Sequence, residues 1–295
     1  MEFLTKFLQQ LINGIHIGSI YALIALGYTM VYGIVKLINF AHGDIIMMGA
    51  FIAFVSITGF GMPLWAVLII SVLFCLVSGI LIEKIAYKPL RGAPRISALI
   101  TAIGVSLFLE NLFFKIFGAN PRPFPTLFNP EPIFIGSLRI SRITAVTIVI
   151  SLVLMVVLDF FVRKTKTGKA MRAVSEDQGA AQLMGINVNT TISITFAIGS
   201  ALGAIGGILY SAAYPLIEPF MGMMPGLKAF VAAVLGGIGI IPGAMLGGFI
   251  MGIAESFTKG YISSQLADAV VFGILIIVLS IKPSGIFGKN IKEKV

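Results

Sequence analysis

The segment KTKTGKAMRAVSEDQGAAQLMGIN, residues 164–187, is a polar stretch in the middle of a strongly apolar chain. Of the 295 residues, 58% are hydrophobic and only 11% are charged. A soluble domain of similar length has about 25% charged residues. This composition and the long apolar runs on both sides of the segment predict an all-α polytopic membrane protein. We expect the whole chain, residues 1–295, to form a single transmembrane domain.

The apolar runs predict eight or nine transmembrane helices, because a spanning helix needs about 20 apolar residues. The clear runs are 8–34, 64–86, 97–117, 143–163, 191–214 and 265–282. The weaker runs, which are short or broken by glycine, are 44–60, 226–241 and 243–258. The weaker runs decide the topology: nine spans put the N-terminus outside the cell, and eight put it inside.

Basic residues give the orientation, since they collect on the cytoplasmic side of membrane proteins. The formal net charge is +9, and clusters of Lys and Arg follow the apolar runs at 84–95, 163–172 and 282–294. The segment 164–187 is therefore predicted to be a cytoplasmic loop. Residues 118–142 form a longer segment that is rich in proline and has fewer charges per residue than the basic clusters. Span parity predicts that they form an external loop.

Within the cytoplasmic segment, residues 170–184 are predicted to form one short amphipathic helix. Helical spacing puts six apolar residues on a shared face: Ala170, Ala173, Val174, Ala180, Ala181 and Met184. A helix lying on the membrane surface usually carries bulky Trp, Phe or Leu on such a face. The small residues here favour the alternative, which is docking into a groove on another protein.

Two glycine-bearing interruptions of the apolar runs are candidates for a transport pathway. They are GIVKLINFAHGDIIMMGAF at 33–51 and AAVLGGIGIIPGAMLGGFIMG at 232–252, and their similarity suggests two related halves. The pathway or gate candidates are Asn39, His42, Gly43 and Asp44 in the first and Gly236, Gly237, Gly239 and Gly243 in the second. Close helix packing explains the glycines equally well.

The sequence contains no motif for catalysis or metal binding. It has no phosphate-binding G-x-x-x-x-G-K-[ST], no H-E-x-x-H and no G-x-S-x-G, and its single Cys and two His offer no metal cluster. Uphill transport would therefore draw energy from another chain or from an ion gradient. A stand-alone ion-coupled carrier would need a buried ion site, for which the sequence offers only Glu110 and Glu255, both without a partner in sequence.

At this point the segment 164–187 resembles the cytoplasmic coupling loop of ABC-transporter permeases, and more narrowly the branched-chain amino acid permeases (Liv-type, H-like subunits). Further matching stretches are 13–44, 85–92, 97–111 and 226–255. The general loop pattern reads Glu-Ala-Ala, three residues, then Gly. Ala180, Ala181 and Gly185 fit it, whereas Gly179 stands at the glutamate position and a glutamate, Glu176, stands three residues earlier.

The resemblance implies a permease subunit that has no catalytic residue, binds no cofactor and leaves ATP to its partners. The implied partners are a second homologous permease, two cytoplasmic ATPases, an extracytoplasmic binding protein and the lipid bilayer, with no nucleic acid. The implied contacts with the ATPases are Arg172, Glu176, Ala180, Ala181 and Gly185. The expected activity is passage of leucine, isoleucine, valine or related neutral amino acids across the bacterial cytoplasmic (inner) membrane by alternating access. The stand-alone carrier is the alternative.

Overall fold

The structure is a computed structural model, and it describes residues 2–128, 131–136 and 138–288. Eleven α-helices account for most of this part of the chain. Their bounds are α1 Glu2–Val35, α2 His42–Thr58, α3 Leu64–Ile82, α4 Arg95–Phe117, α5 Arg142–Lys164, α6 Lys166–Glu176, α7 Gln178–Leu183, α8 Val188–Ala213, α9 Met223–Gly236, α10 Ile241–Tyr261 and α11 Ala267–Ile281. A π-helix, Glu83–Tyr87, and a 3₁₀ turn, Lys88–Leu90, continue α3.

Nine of the described helices are apolar segments of the kind that membranes hold, which confirms the polytopic all-α prediction. Six are long enough to cross a bilayer, and α2, α9 and α11 are shorter. Two run assignments were wrong. The run 243–258, predicted to be weak, lies in the 21-residue α10, and the run 265–282, predicted to be clear, is the 15-residue α11. Residues 262–266 form a turn, so α11 begins only at residue 267, and hydropathy alone does not predict this turn.

Four short strands were not predicted. β1, Arg122–Pro123, pairs antiparallel with β4, Leu216–Ile217. β2, Ile133–Ile135, and β3, Leu138–Ile140, form a second antiparallel pair. These pairs satisfy backbone groups in connections between the long helices, where helical hydrogen bonding has ended.

The predicted external loop and the N-terminus lie at one end of the molecule. The Gln9 side-chain amide donates a hydrogen bond to the Arg139 carbonyl oxygen at 3.0 Å. α1 runs antiparallel to α10, since the Phe7 ring packs on Phe257 while Gly33, near the other end of α1, lies against Gly239. The helices then alternate in direction so that residues 164–187 lie at the end opposite the N-terminus. The count of eight or nine spans and the side of the membrane on which each loop lies stay predictions.

The helices α6, α7 and α8, which lie in or directly after residues 164–187, each begin with a side-chain cap. Thr165 Oγ1 accepts from the Gly168 amide at 3.0 Å, Asp177 Oδ1 from Ala180 at 2.9 Å and Asn187 Oδ1 from Thr190 at 3.0 Å. The described residues that precede the other helices make no such bond. Each cap satisfies an amide that the first helical turn leaves free.

Candidate transport pathway and coupling surface

The first interruption places the start of α2 among the long helices, away from their ends. The His42 ring packs against Gly27 of α1, where any side chain would collide with it, and lies beside Gly203 of α8. Gly203 is close to the middle of α8, which spans Val188–Ala213. The short helix α2 therefore begins inside the layer of spanning helices.

The start of α9 lies beside the start of α2. The backbones of Gly43 and Gly222 touch, and a Cβ at Gly226 would lie 2.9 Å from the Gly43 Cα atom. Glycine at these positions permits the close approach, because any larger residue would collide with the neighbouring backbone. The two short helices thus meet within the membrane-spanning layer, a geometry found where transporters build their pathway.

A cavity of ≈ 440 Å³ lies at this meeting point. Its lining residues come from α1, the segment before α2, α2, α4 and α9: Tyr28, Phe40, Gly43, Asp44, Ile103, Ser106, Leu107, Glu110, Met223, Leu227 and Phe230. Most of the wall is apolar. The exceptions are the carboxylates of Asp44 and Glu110 and the hydroxyls of Tyr28 and Ser106.

Of the four candidates in the first interruption, Gly43 and Asp44 lie in the cavity wall. The other two, Asn39 and His42, lie just behind it. Asp44 is 3% exposed, and its Oδ2 atom has no hydrogen-bond partner among the described residues. His42 lies behind the wall with its ring edge-on to Tyr28, at 4.6 Å between ring centroids. Asn39 Oδ1 accepts a hydrogen bond of 2.8 Å from the Tyr87 hydroxyl. Sequence spacing did not reveal that Glu110 and Ser106, on α4, share the cavity.

Polar contacts connect this region to the end of the molecule that carries residues 164–187. Tyr87, which holds Asn39, belongs to the π-helix that begins at Glu83. The Glu83 carboxylate accepts hydrogen bonds from Arg91 and, at 2.6 Å, from Ser193 near the start of α8. Arg91 also donates to the Asn189 side chain. A shift of the first turns of α8 would therefore reach the segment before α2 through hydrogen bonds.

The second interruption forms a closed turn between α9 and α10. Gly237 and Gly239 have φ of +104° and +94°, which favours glycine, and the backbones of Gly236 and Gly243 touch. The chain after α11 covers this turn, with the Phe287 amide donating to the Gly236 carbonyl oxygen at 3.1 Å. None of these four glycines is among the residues that line the cavity beside Asp44. The structure therefore does not bring the two candidate groups together.

The single helix predicted over 170–184 is wrong. α6 ends at Glu176, Asp177 has an extended backbone with φ −151°, and α7 begins at Gln178. The reason is the Asp177 carboxylate, which caps α7 and thereby competes with continuation of α6. The six predicted face residues do not form one face, since Val174 and Ala181 are buried while Met184 is 82% exposed.

The exposed part of the coupling segment is apolar at its tip. Leu183 is 90% exposed and Met184 82% exposed. Of the predicted contact residues, Ala180, Gly185, Glu176 and Arg172 are exposed, whereas Ala181 faces the protein. We call Ala180, Leu183, Met184 and Gly185 the tip surface. Leu183 was missed because the predicted face continued the period of α6 across the break at Asp177.

A second group of charges lies where α1, α9, α10 and α11 meet, with Glu255 and Lys228 buried and Lys259 and Asp268 at its more exposed edge. Glu255 Oε1 lies 3.0 Å from Lys228 Nζ and 2.6 Å from Lys259 Nζ, and Lys228 Nζ also lies 2.6 Å from Asp268 Oδ1. The Tyr21 hydroxyl donates to Glu255 Oε2 at 2.8 Å. The expectation that Glu255 has no partner was therefore wrong. Lys259 lies four residues after Glu255 on α10, a spacing that the sequence shows, whereas Lys228 and Tyr21 lie on α9 and α1 and come close only in the fold.

Comparison with known proteins shows the family and the fold of the chain. A family model described as "Branched-chain amino acid transport system / permease component" matches residues 10–279. The chain is 43% identical to the high-affinity branched-chain amino acid transport system permease protein LivH of Escherichia coli (strain K12), over 98% of both chains. It is 44% identical to the corresponding protein BraD of Pseudomonas aeruginosa, again over 98% of both chains. Among solved structures, PsaBC from Streptococcus pneumoniae in complex with Fab shares the fold, with a TM-score of 0.50, 14% identity, and coverage of 95% of this chain and 92% of the other.

Proposed function

Because the chain belongs to the family of branched-chain amino acid transport permease components, we propose that it is a membrane subunit of an ATP-driven importer of leucine, isoleucine, valine or related neutral amino acids. In this proposal the protein lies in the bacterial cytoplasmic membrane, with residues 164–187 in the cytoplasm and 118–142 outside. It forms the pathway with a second permease, receives the amino acid from an extracytoplasmic binding protein, and leaves ATP hydrolysis to two ATPase chains.

The tip surface is the observation that carries the proposal. Leu183 and Met184 are almost fully exposed at the end of a short helix, next to residues too polar to lie in lipid. An exposed apolar pair on a polar loop is typical of a docking site for a partner protein. Behind it, Met171 and Val174 are buried, so that the loop is held against the spanning helices. An ATPase that binds the tip surface and changes conformation would therefore move α5 and α8, the spanning helices that the loop connects.

The exposed surface beside the cavity is where we place the second permease. α4 exposes apolar side chains along much of its length, including Ile103 at 44% and Leu107 at 53%. Both residues also line the cavity of Asp44. In the proposed arrangement a second permease covers this face, so that the pathway runs between the two subunits. Alternating access then follows from a change in how α2 and α9 meet beneath that interface.

The test is co-purification from the native membrane in mild detergent, followed by mass spectrometry. We expect two ATPase chains and a second permease with the wild type, and no ATPase with the double variant Leu183→Gln, Met184→Gln. Lys169→Gln is the matched control, since Lys169 is exposed on α6 of the same loop. ATPases that stay bound to the double variant would contradict docking at the tip surface. A chain that is free of ATPases and takes up leucine with an ion gradient alone would establish the alternative, a secondary carrier.

A further inference from the structure

We propose that the cavity between α1, α2, α4 and α9 receives the ammonium group of the passing amino acid, held by the carboxylates of Asp44 and Glu110. That the ligand is an amino acid rests on the proposed function. That the cavity takes an organic cation rests on its own geometry.

The first observation is the state of Asp44. It lies in the first turn of α2, is 3% exposed, and has an oxygen, Oδ2, without a hydrogen-bond partner among the described residues. The Ser106 hydroxyl donates a hydrogen bond to this carboxylate, but no described cation neutralises it, and a buried charge is costly unless it is paired. Because Asp44 lines the cavity, a donor that enters it can reach the carboxylate.

The second observation is that the cavity wall contains no positive charge. Glu110, on α4, lines the same cavity and is 8% exposed. The described lining residues include no Lys, Arg or His, and neither Asp44 nor Glu110 forms an ion pair within the described chain. Two neighbouring acids in an apolar wall repel each other, and a cation placed between them removes that repulsion.

The third observation is the match between the acceptors and an ammonium group. An ammonium has three N–H donors and no acceptor. The two carboxylates and the hydroxyl of Ser106 or Tyr28 supply oxygen acceptors on the same wall. A spherical metal ion would instead require a nearly complete shell of oxygen ligands, which this largely apolar wall does not offer.

The rest of the wall suits a small aliphatic side chain. Apart from the four polar residues and Gly43, the lining residues are Phe40, Ile103, Leu107, Met223, Leu227 and Phe230. The volume of ≈ 440 Å³ is near the lower end of the range for small-molecule sites, roughly 300–1,000 Å³. The cavity would thus bind a branched aliphatic amine with its ammonium group at the carboxylates. It would not bind a carboxylic acid of the same carbon skeleton.

The test measures binding without transport, using the full chain and any subunits that co-purify, in lipid nanodiscs at neutral pH. The probes are 3-methylbutylamine, which keeps the ammonium group and side chain of leucine, and 4-methylpentanoate, which keeps the carboxylate. We expect the amine at millimolar concentration to raise the thermal unfolding midpoint by about 3 °C, and 4-methylpentanoate or sodium chloride to raise it by less than about 1 °C.

Variants locate the effect. Asp44→Asn should abolish the shift caused by the amine, and Glu110→Gln should reduce it at least about threefold, since each removes one anionic contact. Asp159→Asn is the control and should keep the full shift, because Asp159 is paired with Arg163 away from the cavity. If Asp44→Asn does not fold, Glu110→Gln alone decides the result.

An equal shift with 4-methylpentanoate or sodium chloride, or a full shift in Glu110→Gln and Asp44→Asn, would overturn the inference. The assay requires no ATPase, so its result is independent of the co-purification experiment. Binding of the amine by a chain that lacks ATPase partners would leave the cavity assignment standing and remove the importer. Co-purifying ATPases without amine binding would do the reverse.

Discussion

Glu255 and Asp44 are both buried carboxylates in the membrane-spanning part of the protein, yet their surroundings are opposite. Glu255 is 1% exposed and is bound by Lys228, Lys259 and Tyr21. Asp44 is 3% exposed, and its Oδ2 atom has no hydrogen-bond partner in the part of the chain that the structure describes. The chain neutralises the Glu255 charge with its own lysines, whereas Asp44 has a hydrogen bond from Ser106 but no described cation beside it. The two acids are therefore equally buried but differ in whether a described residue compensates the charge.

The two acids also differ in what they connect. Glu255 and its partners join α9, α10 and α11 to α1. Asp44 stands at the open meeting point of α2 and α9. We expect residues of the first kind to control stability, and residues of the second kind to control transport while leaving stability nearly unchanged.

The largest loss of stability is expected for Glu255→Gln. Removing the central anion leaves the buried Lys228 with Asp268 as its one described acid, and breaking a buried pair in this way costs about 3–5 kcal/mol. Thermal unfolding of the purified protein in nanodiscs measures the loss. Glu218→Gln is the control, because Glu218 is partly buried and forms no ion pair with described residues. It should change the free energy of unfolding by no more than about 0.5 kcal/mol. Equal stability of Glu255→Gln and the wild type would erase the contrast with Asp44.

A smaller loss is expected for Gly236→Ala, in the closed turn of the second interruption. The new methyl group would overlap the Gly243 carbonyl, and such overpacking costs about 1–3 kcal/mol. Gly104→Ala is the matched control, because a Cβ at Gly104 meets nothing within 4 Å and alanine favours the helix. A Gly236→Ala protein that is fully stable but inactive in leucine uptake would instead assign this turn to the pathway.

Asp44→Asn should leave the free energy of unfolding unchanged or raise it by up to about 1 kcal/mol, because it removes an uncompensated buried charge. Leucine uptake by the complete transporter should nevertheless fall by about tenfold or more, equivalent to the loss of one charge-assisted hydrogen bond. Uptake into proteoliposomes, normalised to the amount of folded protein, measures the effect. A destabilised Asp44→Asn protein would show that this acid, like Glu255, supports the fold.

The smallest change in stability is expected for Leu183→Gln, within about 0.5 kcal/mol, since the side chain is 90% exposed. Ala181→Arg, two positions earlier, should cost more than 1 kcal/mol because Ala181 is 2% exposed and faces the protein. Unfolding midpoints of the two variants give the comparison. Equal midpoints would mean that the tip surface is not organised as the structure shows.

Sequence reasoning predicted the features that depend on local composition. The apolar runs, the helical class and the polar segment 164–187 follow from hydropathy and charge, and the structure agrees with them. Sequence reasoning did not predict that α6 ends at Glu176. The helical spacing of apolar residues would extend the helix, but the capping bond of Asp177 outweighs it.

The candidate site was predictable only in part, for a geometric reason. Asp44 and Gly43 stood out because a polar break in an apolar run is unusual. Their neighbours Glu110, Ser106 and Phe230 lie on other helices, and contacts across helices leave no periodic signal in one sequence. The same limit hid Lys228 and Tyr21, the partners of Glu255 on α9 and α1, but not Lys259, which lies four residues later on the same helix.

The three capped helix starts after α5 have a mechanical consequence. A cap fixes the direction in which the chain enters a helix, and Thr165, Asp177 and Asn187 fix three successive joints between α5 and α8. Breaking one such bond costs about 1 kcal/mol, so the three caps together favour one angle at each joint. In the proposed importer, a displacement of the tip surface would therefore be passed in part to the first turn of α8.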